Sequence, residues 1–453
     1  MVNTLYLPEL REMLAENREG ELREFCTALH PARTAEFMEG LSTDEAWRVL
    51  AFADPSTRAQ IFTYFEHHRQ LELIETQDRD QVAAILSELP SDDRVDVLAD
   101  APNELVEELL KRLPADERRD IQRLSQYPEG TAGATMTSDF ARIPETMTVK
   151  QALDELARQA ESLEMLYYLY VLDEAGHLRG VVSTRQLVAA MRRPLTPLTE
   201  LMETQLVSVH ALDDREEVAQ LVARYDLLAV PVVDDQNRMV GIVTHDDVLD
   251  VLQDEAARDA YQSAAVAPLE ETYLRTPLLI LSWKRGIWLA ILFVCALLTV
   301  LVLGRYEDDL QRWAWLVPFL PLIISSGGNS GNQSATLVIT ALGRGEVKLS
   351  DWGTVVIREV AMGLILGLVL SAMGVVVSFL FAPVGIERWV IPVTLILVVV
   401  SGTLTGATLP LIFARLGWDP AIMSNPFVAG IVDILGIVIY MTVAYLILGS
   451  VGG

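Results

Sequence analysis

The stretch SSGGNSGNQSATLVITAL, Ser325 to Leu342, sets small and amide residues in the middle of an otherwise apolar run. Lipid satisfies none of their hydrogen-bonding groups, so a protein surface, water or an ion must face them. The flanking sequence makes this a membrane question. From Ile280 onward five apolar segments follow one another, at about 283–304, 313–342, 353–382, 389–413 and 427–449. Each is long enough to cross ~30 Å of hydrocarbon at ~1.5 Å per residue. Five such runs in succession do not suit the buried helices of a soluble core. Arg275, Lys284, Arg285, Arg344, Lys348, Arg358 and Arg415 fall on one side of these spans, and Arg305, Arg312 and Arg388 on the other. The positive-inside rule then puts everything before the first span in the cytoplasm and the carboxyl terminus outside.

Further toward the amino terminus the charge divides the 453-residue chain. Residues 1–275 carry 53 Asp and Glu against 26 Lys and Arg, while residues 276–453 carry nine of each, so the whole net charge of −27 precedes the first span. Such a field repels nucleic acid and attracts cations. The opening MVNTLYLPEL lacks the basic and apolar regions of a secretory signal. Cys26 and Cys295 lie far apart without metal-ligand spacing, which suggests neither a disulfide framework nor a zinc site. With no Ser/His, Cys/His or phosphate-loop pattern, an enzyme is not expected.

Two internal repeats organise the acidic part. In residues 1–130, Pro31, Pro55, Pro90 and Pro114 each follow an apolar stretch and precede a polar, helix-starting run. LPSDDRVDV (Leu89–Val97) recurs as LPADERRDI (Leu113–Ile121), which predicts helical repeats that bury their faces on one another. Further on, YVLDEAGHLRGVVSTRQLV (Tyr170–Val188) matches PVVDDQNRMVGIVTHDDVL (Pro231–Leu249) at an offset of 61 residues. Each copy reads as strand, acidic turn, strand, helix, with another helix upstream. The pair resembles tandem CBS domains over residues 131–252, which implies a regulatory module. That resemblance also implies a nucleotide site, ATP among its ligands, with Tyr170 and Arg185 as matching residues. Gln186 stands where CBS units often carry an aspartate that contacts the ribose, whereas the second copy has Asp247 there. Gln253–Pro277 reads as a charged connecting helix.

Within the second span Asn329, Asn332 and Gln333 accompany Gly327, Gly328 and Gly331, which permit close backbone approach and are expected to expose carbonyl oxygens. Asp433 is the deep ionisable residue of the fifth span, seven residues beyond Pro426 and so ~10 Å inside if helical. An isolated carboxylate in hydrocarbon costs several kcal/mol, so it should face a cavity, a partner or an ion. Three roles are open to it: a protonated structural acid, a proton relay, or a cation ligand. Amides and carbonyls coordinate hard cations and are not needed to shuttle protons, which favours the third, and Asn425 adds a further oxygen near the mouth of that span.

GGNSGNQSAT, WDPAIMSNP and the later Asp433 closely resemble the MgtE family of magnesium channels, over nearly the whole chain. The resemblance implies a mainly α, multidomain membrane protein. Its parts would be a helical-repeat superhelix (1–130), an α/β CBS pair (131–252), a connecting or plug helix (253–277) and a pore domain of five transmembrane helices (278–453). It implies a homodimer in the plasma (inner) membrane, surrounded by lipid, with its amino terminus and CBS domains cytoplasmic and divalent cations as partners. Mg²⁺ would be both substrate and regulator. Asp433, Asn332, Asn329, Gly328 and Asn425 would line the pore site. Asp92, Asp96, Asp214, Glu216, Asp226, Asp247, Asp250, Glu255, Asp259 and Asp419 would bind the regulatory ions that close it. Arg258 departs from the family, where an acid is common. The alternatives are a CBS-regulated transporter of another divalent cation and a membrane Mg²⁺ sensor that transports nothing.

Overall fold

A computed structural model describes residues 5–160, 163, 165–269, 273, 274, 276–420 and 425–449. The chain forms two compact units, Met1–Leu252 and Gln253–Gly453.

The first unit opens with ten helices, α1 (Leu7–Glu16) to α10 (Ala115–Leu124). Pro31 and Pro55 are the first residues of α3 (Pro31–Met38) and α5 (Pro55–Thr63), where the missing N–H has no helical acceptor to lose. Pro90 and Pro114 sit one position earlier, just before α8 (Ser91–Ala99) and α10, so both copies of the LP repeat start helices. Leu10, Leu22, Met38, Leu50, Phe62, Leu73, Leu86 and Leu109 are fully buried in one continuous core. No helix here is long enough to bury its own apolar stripe, so each needs its neighbours. Between them, buried Arg69 donates to the carbonyls of Met38 and Leu41, and buried Arg94 to those of Leu86 and Leu89. These guanidinium groups satisfy chain-end carbonyls that no helix ladder can use.

After α11 (Ala132–Thr135) the two α/β copies appear as expected. The first has β1 (Phe140–Pro144), α12 (Val149–Gln159), β2 (Met165–Leu172), β3 (Leu178–Ser183) and α13 (Thr184–Ala190). The second has β4 (Val209–His210), α14 (Arg215–Arg224), β5 (Ala229–Val233), β6 (Met239–Thr244) and α15 (His245–Ser263). In both, the first strand pairs parallel with the second, and the second pairs antiparallel with the third. Strands β1 and β4 lie upstream of the repeated strand–turn–strand–helix pattern and add a third strand to each sheet.

The connecting segment differs from its expected form. Helix α15 begins within the second α/β copy and runs to Ser263, so it spans the division of the two units at 252/253. It is not helical through to Pro277: Ala265 takes a left-handed φ of 54°, and Val266 N–H bonds back to the Tyr261 carbonyl, a helix-terminating arrangement.

The second unit contains α16 (Leu278–Gly304), α17 (Glu307–Arg312), α18 (Leu320–Gly343), α19 (Trp352–Phe381), α20 (Val390–Arg415) and α21 (Asn425–Leu448). Among the described residues four helical stretches, Leu278–Gly304, Leu349–Phe381, Ile386–Arg415 and Pro426–Leu448, are long and apolar enough to cross a membrane. The second expected span starts later than predicted, because a 3₁₀ turn over Ala314–Phe319 precedes α18. Its 24 residues extend ~36 Å, yet its Gly, Ser, Asn and Gln content leaves it less apolar than the other four. Helix α18 packs against α20 and α21 instead of standing alone in lipid.

Candidate functional site

Glycines place α18 against α20. A Cβ on Gly406 would lie 2.0 Å from the Gly331 carbonyl oxygen, and one on Gly402 2.5 Å from that of Gly327. The two backbones therefore touch directly. Close approach is as expected, and α18 runs uninterrupted through these glycines, whose carbonyls take part in its ladder. Gly328 points elsewhere. A Cβ there would sit 3.7 Å from Asp433 Oδ1 and 3.7 Å from Ala429 Cβ, so α18 leaves just enough room for the Asp433 carboxylate on α21.

The amides flank this position. Asn332 is partly buried, and its Oδ1 has no hydrogen-bond partner among the described residues. Asn329 donates to Ser325 Oγ at 3.3 Å and lies with Ser325, Gln333 and Thr336 on a face of α18 that the chain does not cover. Asn425 begins α21, but its side chain falls outside the described set, as do residues 421–424 of WDPAIMSNP. Glu359 on α19, absent from the sequence reading, accepts from Ser334 Oγ of α18 at 2.6 Å. Its place near the helix start, beside Arg358, disguised it as an interfacial charge.

In the first unit a chain of hydrogen bonds fixes α8 against the α/β part. Ser91 Oγ meets Thr137 Oγ1 at 3.0 Å and accepts from the Ser138 amide at 2.7 Å, while the Ser91 amide donates to Asp139 at 3.1 Å. Thr137 in turn exchanges backbone bonds with Ile242, just before α15. The result brings Asp92 and Asp93 of α8 to Asp246, Asp247 and Asp250 of α15. Burial raises the Asp247 carboxyl to about 8, with Asp92 adding repulsion, and Thr244 Oγ1 bonding it. Burial likewise raises Asp92 to about 7 and Asp93 to about 6, the latter reinforced by Asp247. Asp92 Oδ1 has no hydrogen-bond partner among the described residues. Stacked carboxyls held out of water in this way gain from any bound cation. Asp93 was missed in the sequence, where it reads as one more acid in an SDD run.

The other expected ligands are more dispersed. Asp96 stands at the surface, although packing around its carboxyl still raises it against the opposing charges of His67 and Arg215. Asp214 caps α14 by accepting from the Glu216 amide at 2.8 Å, and Glu216 accepts from Gln220 at 3.1 Å. Asp226 occupies a left-handed turn, φ 50°, just after α14. In the second unit, burial raises the Asp259 carboxyl, with Asp419 and then Glu255 adding to it and Arg258 opposing. Arg258 reaches Glu255 at 3.8 Å. Among the described residues no three His, Cys, Asp or Glu side chains converge into a metal cage.

Between the two α/β copies lies a cleft of about 350 Å³ lined by Tyr168, Tyr170, Arg185, Gln186, Glu203 and others. Tyr170 Oη is buried there without a hydrogen-bond partner among the described residues. Gln186 is committed elsewhere: its Oε1 accepts from the Ser183 amide at 2.7 Å and hydroxyl at 2.8 Å, capping α13.

Comparison with known proteins matches all three parts of the chain. Residues 320–443 match the family described as MgtE, divalent cation transporter, residues 29–130 the MgtE intracellular N domain, and residues 132–193 and 198–254 the CBS domain. The magnesium transporter MgtE of Thermus thermophilus is 37% identical, with 98% of each chain covered. That of Bacillus subtilis is 32% identical over 94% of each. A crystal structure of the soluble part of a magnesium transporter, 34% identical, matches with a TM-score of 0.52 over 55% of this chain and 98% of its own. The cytosolic domain of the Mg²⁺ channel MgtE in complex with ATP, 36% identical, matches with a TM-score of 0.50 over 53% of this chain and 98% of its own.

Proposed function

The chain belongs to the MgtE family, and from that premise we propose that it is a channel for Mg²⁺ uptake, closed by Mg²⁺ bound to its acidic cytoplasmic part. The observation that carries the reading is Asp433 set against Gly328, beside Asn332 with its unpartnered oxygen, on helices whose neighbours are apolar. A carboxylate and an amide oxygen at that depth suit a hydrated hard cation. The uncovered polar face of α18, carrying Ser325, Asn329, Gln333 and Thr336, then faces water and a second copy across a central pore. Helix α18 is the second of five spans, shielded from lipid by α20, α21 and that partner. Five spans leave the carboxyl terminus outside and the acidic units in the cytoplasm, beneath the plasma membrane.

Regulation rests on the carboxyls of α8 and α15. Mg²⁺ at Asp92, Asp93 and Asp247 neutralises their repulsion and holds the helical and CBS parts together; without it they part. Helix α15 also carries Glu255 and Asp259, so it links the sensing carboxyls to the channel. The cleft beside Tyr170 and Arg185 takes a nucleotide base and phosphate, a reading supported by the ATP complex of the relative; Gln186 contributes no ribose contact while it caps α13. Mg²⁺ flux into liposomes containing the purified protein tests the whole. Wild type should conduct, and Asp433→Ala should lose most of the flux while still assembling, with Asp433→Asn milder. Flux of Co²⁺ or Mn²⁺ without Mg²⁺ would point to another divalent cation, and equal flux through Asp433→Ala would remove that residue from the mechanism.

A further inference from the structure

Glu359 is a second carboxylate on the membrane helices, seven residues beyond the start of α19 and so ~10 Å along it. It accepts from Ser334 Oγ of α18 at 2.6 Å, and its backbone carbonyl accepts from Thr403 Oγ1 of α20 at 3.1 Å. At the same level α19 and α20 touch closely, since a Cβ on Gly363 would lie 2.5 Å from Thr403 Oγ1. Three helices thus meet at one polar knot. Ser334 lies two residues from Asn332 and six from Gly328, so the knot is ~9 Å along α18 from the Asp433 position.

Gly327 and Gly331 face Gly402 and Gly406 at backbone distance, and Val398 of α20 packs over Gly327. To this close pair the Ser334–Glu359 bond ties a third helix, α19, by a polar contact. Resting on the transport reading above, we propose that Glu359 is a positioning residue: through Ser334 it fixes α18 along its axis and so sets Asn332 and Gly328 opposite Asp433. A carboxylate costs more than a neutral group among apolar helices, and it offers α18 a stronger acceptor than a neutral group would.

The test measures Mg²⁺ flux against Mg²⁺ concentration for the full-length protein in liposomes. Ser334→Ala and Glu359→Ala should each raise half-saturating Mg²⁺ about three- to tenfold, the scale of one interhelical hydrogen bond, with maximal flux less affected. Glu359→Gln, which can still accept from Ser334, should restore most of the affinity. The double variant should be no worse than either single one, because both remove the same contact. Wild-type half-saturation in Ser334→Ala overturns the inference even if Glu359→Ala fails to assemble, and so do additive effects or a failure of Gln to rescue. A wild type without Mg²⁺ flux overturns the transport reading itself, and this inference with it.

Discussion

Asp92 and Asp247 connect the chemistry of single residues to a measurable pH dependence. Folding raises both carboxyls, so the folded protein holds protons that the unfolded chain would release. Their contribution to stability is complete below the unfolded carboxylate range near ~4 and is lost as pH climbs through the folded values of about 7 and 8. In chelator, the cytoplasmic region of the full-length protein should therefore melt several degrees lower at pH ~8.5 than at pH ~6. Millimolar Mg²⁺ should remove most of that difference, and Asp247→Asn should flatten it. A slope unchanged by Asp247→Asn would place the titration elsewhere. Arg258 offers a second residue-scale prediction. Its guanidinium, 3.8 Å from Glu255 and opposing the raised Asp259 carboxyl, acts as a fixed cation among these acids. Arg258→Glu should lower the cytoplasmic Mg²⁺ that closes the channel several-fold in patch recordings, since ~1 kcal/mol of added binding is about fivefold. An equal or higher closing concentration would take Arg258 out of the sensing group.

Among the elements, the pairing of α18 with α20 is the one that a single methyl group can disturb. A Cβ on Gly406 meets the Gly331 carbonyl oxygen at 2.0 Å, and a backbone atom cannot swing aside as a side chain can. Gly406→Ala should force the helices apart and cost about 1–3 kcal/mol or more, read as a lower melting temperature in detergent and reduced flux. Gly286→Ala on α16 is the control, because nothing lies within 4 Å of its Cβ. That change should be neutral or slightly stabilising, alanine being the better helix former by about 1 kcal/mol. Equal melting of the two variants would mean that the α18–α20 contact is looser than drawn.

At the scale of the whole molecule, charge and hydropathy are segregated along the chain, with the entire net charge of −27 before residue 276 and the apolar helices after it. Such a field attracts cations to the amino-terminal part. Asp247→Asn, Glu255→Gln and Asp259→Asn together should leave the channel conducting at Mg²⁺ levels that close the wild type. Protection of the cytoplasmic region from protease by millimolar Mg²⁺ should weaken in parallel, since fewer carboxylates bind fewer ions. Closure of the triple variant at the wild-type concentration would break the proposed link between the acidic cluster and the pore.

The sequence by itself determined the order of parts, because each is written in a periodic signal. Prolines before polar starts mark the short helices, the 61-residue offset marks the two α/β copies, and long apolar runs mark the membrane helices. It also singled out Asp433, since a lone carboxylate in an apolar run stands out without any structure. What only the tertiary structure decided is which distant residues meet. Asp93 gains its place from the Ser91–Thr137 and Thr137–Ile242 bonds that carry α8 to α15, and no local pattern separates it from the many solvated acids around it. Glu359 sits beside Arg358 near a helix start, and only the packing of α19 against α18 turns it toward Ser334. The glycines of SSGGNSGNQSATLVITAL divide in the same way, Gly327 and Gly331 to α20 and Gly328 to Asp433. Periodicity records which face of an element is apolar, but the neighbour that covers each face is chosen by long-range packing, which a one-dimensional pattern does not contain.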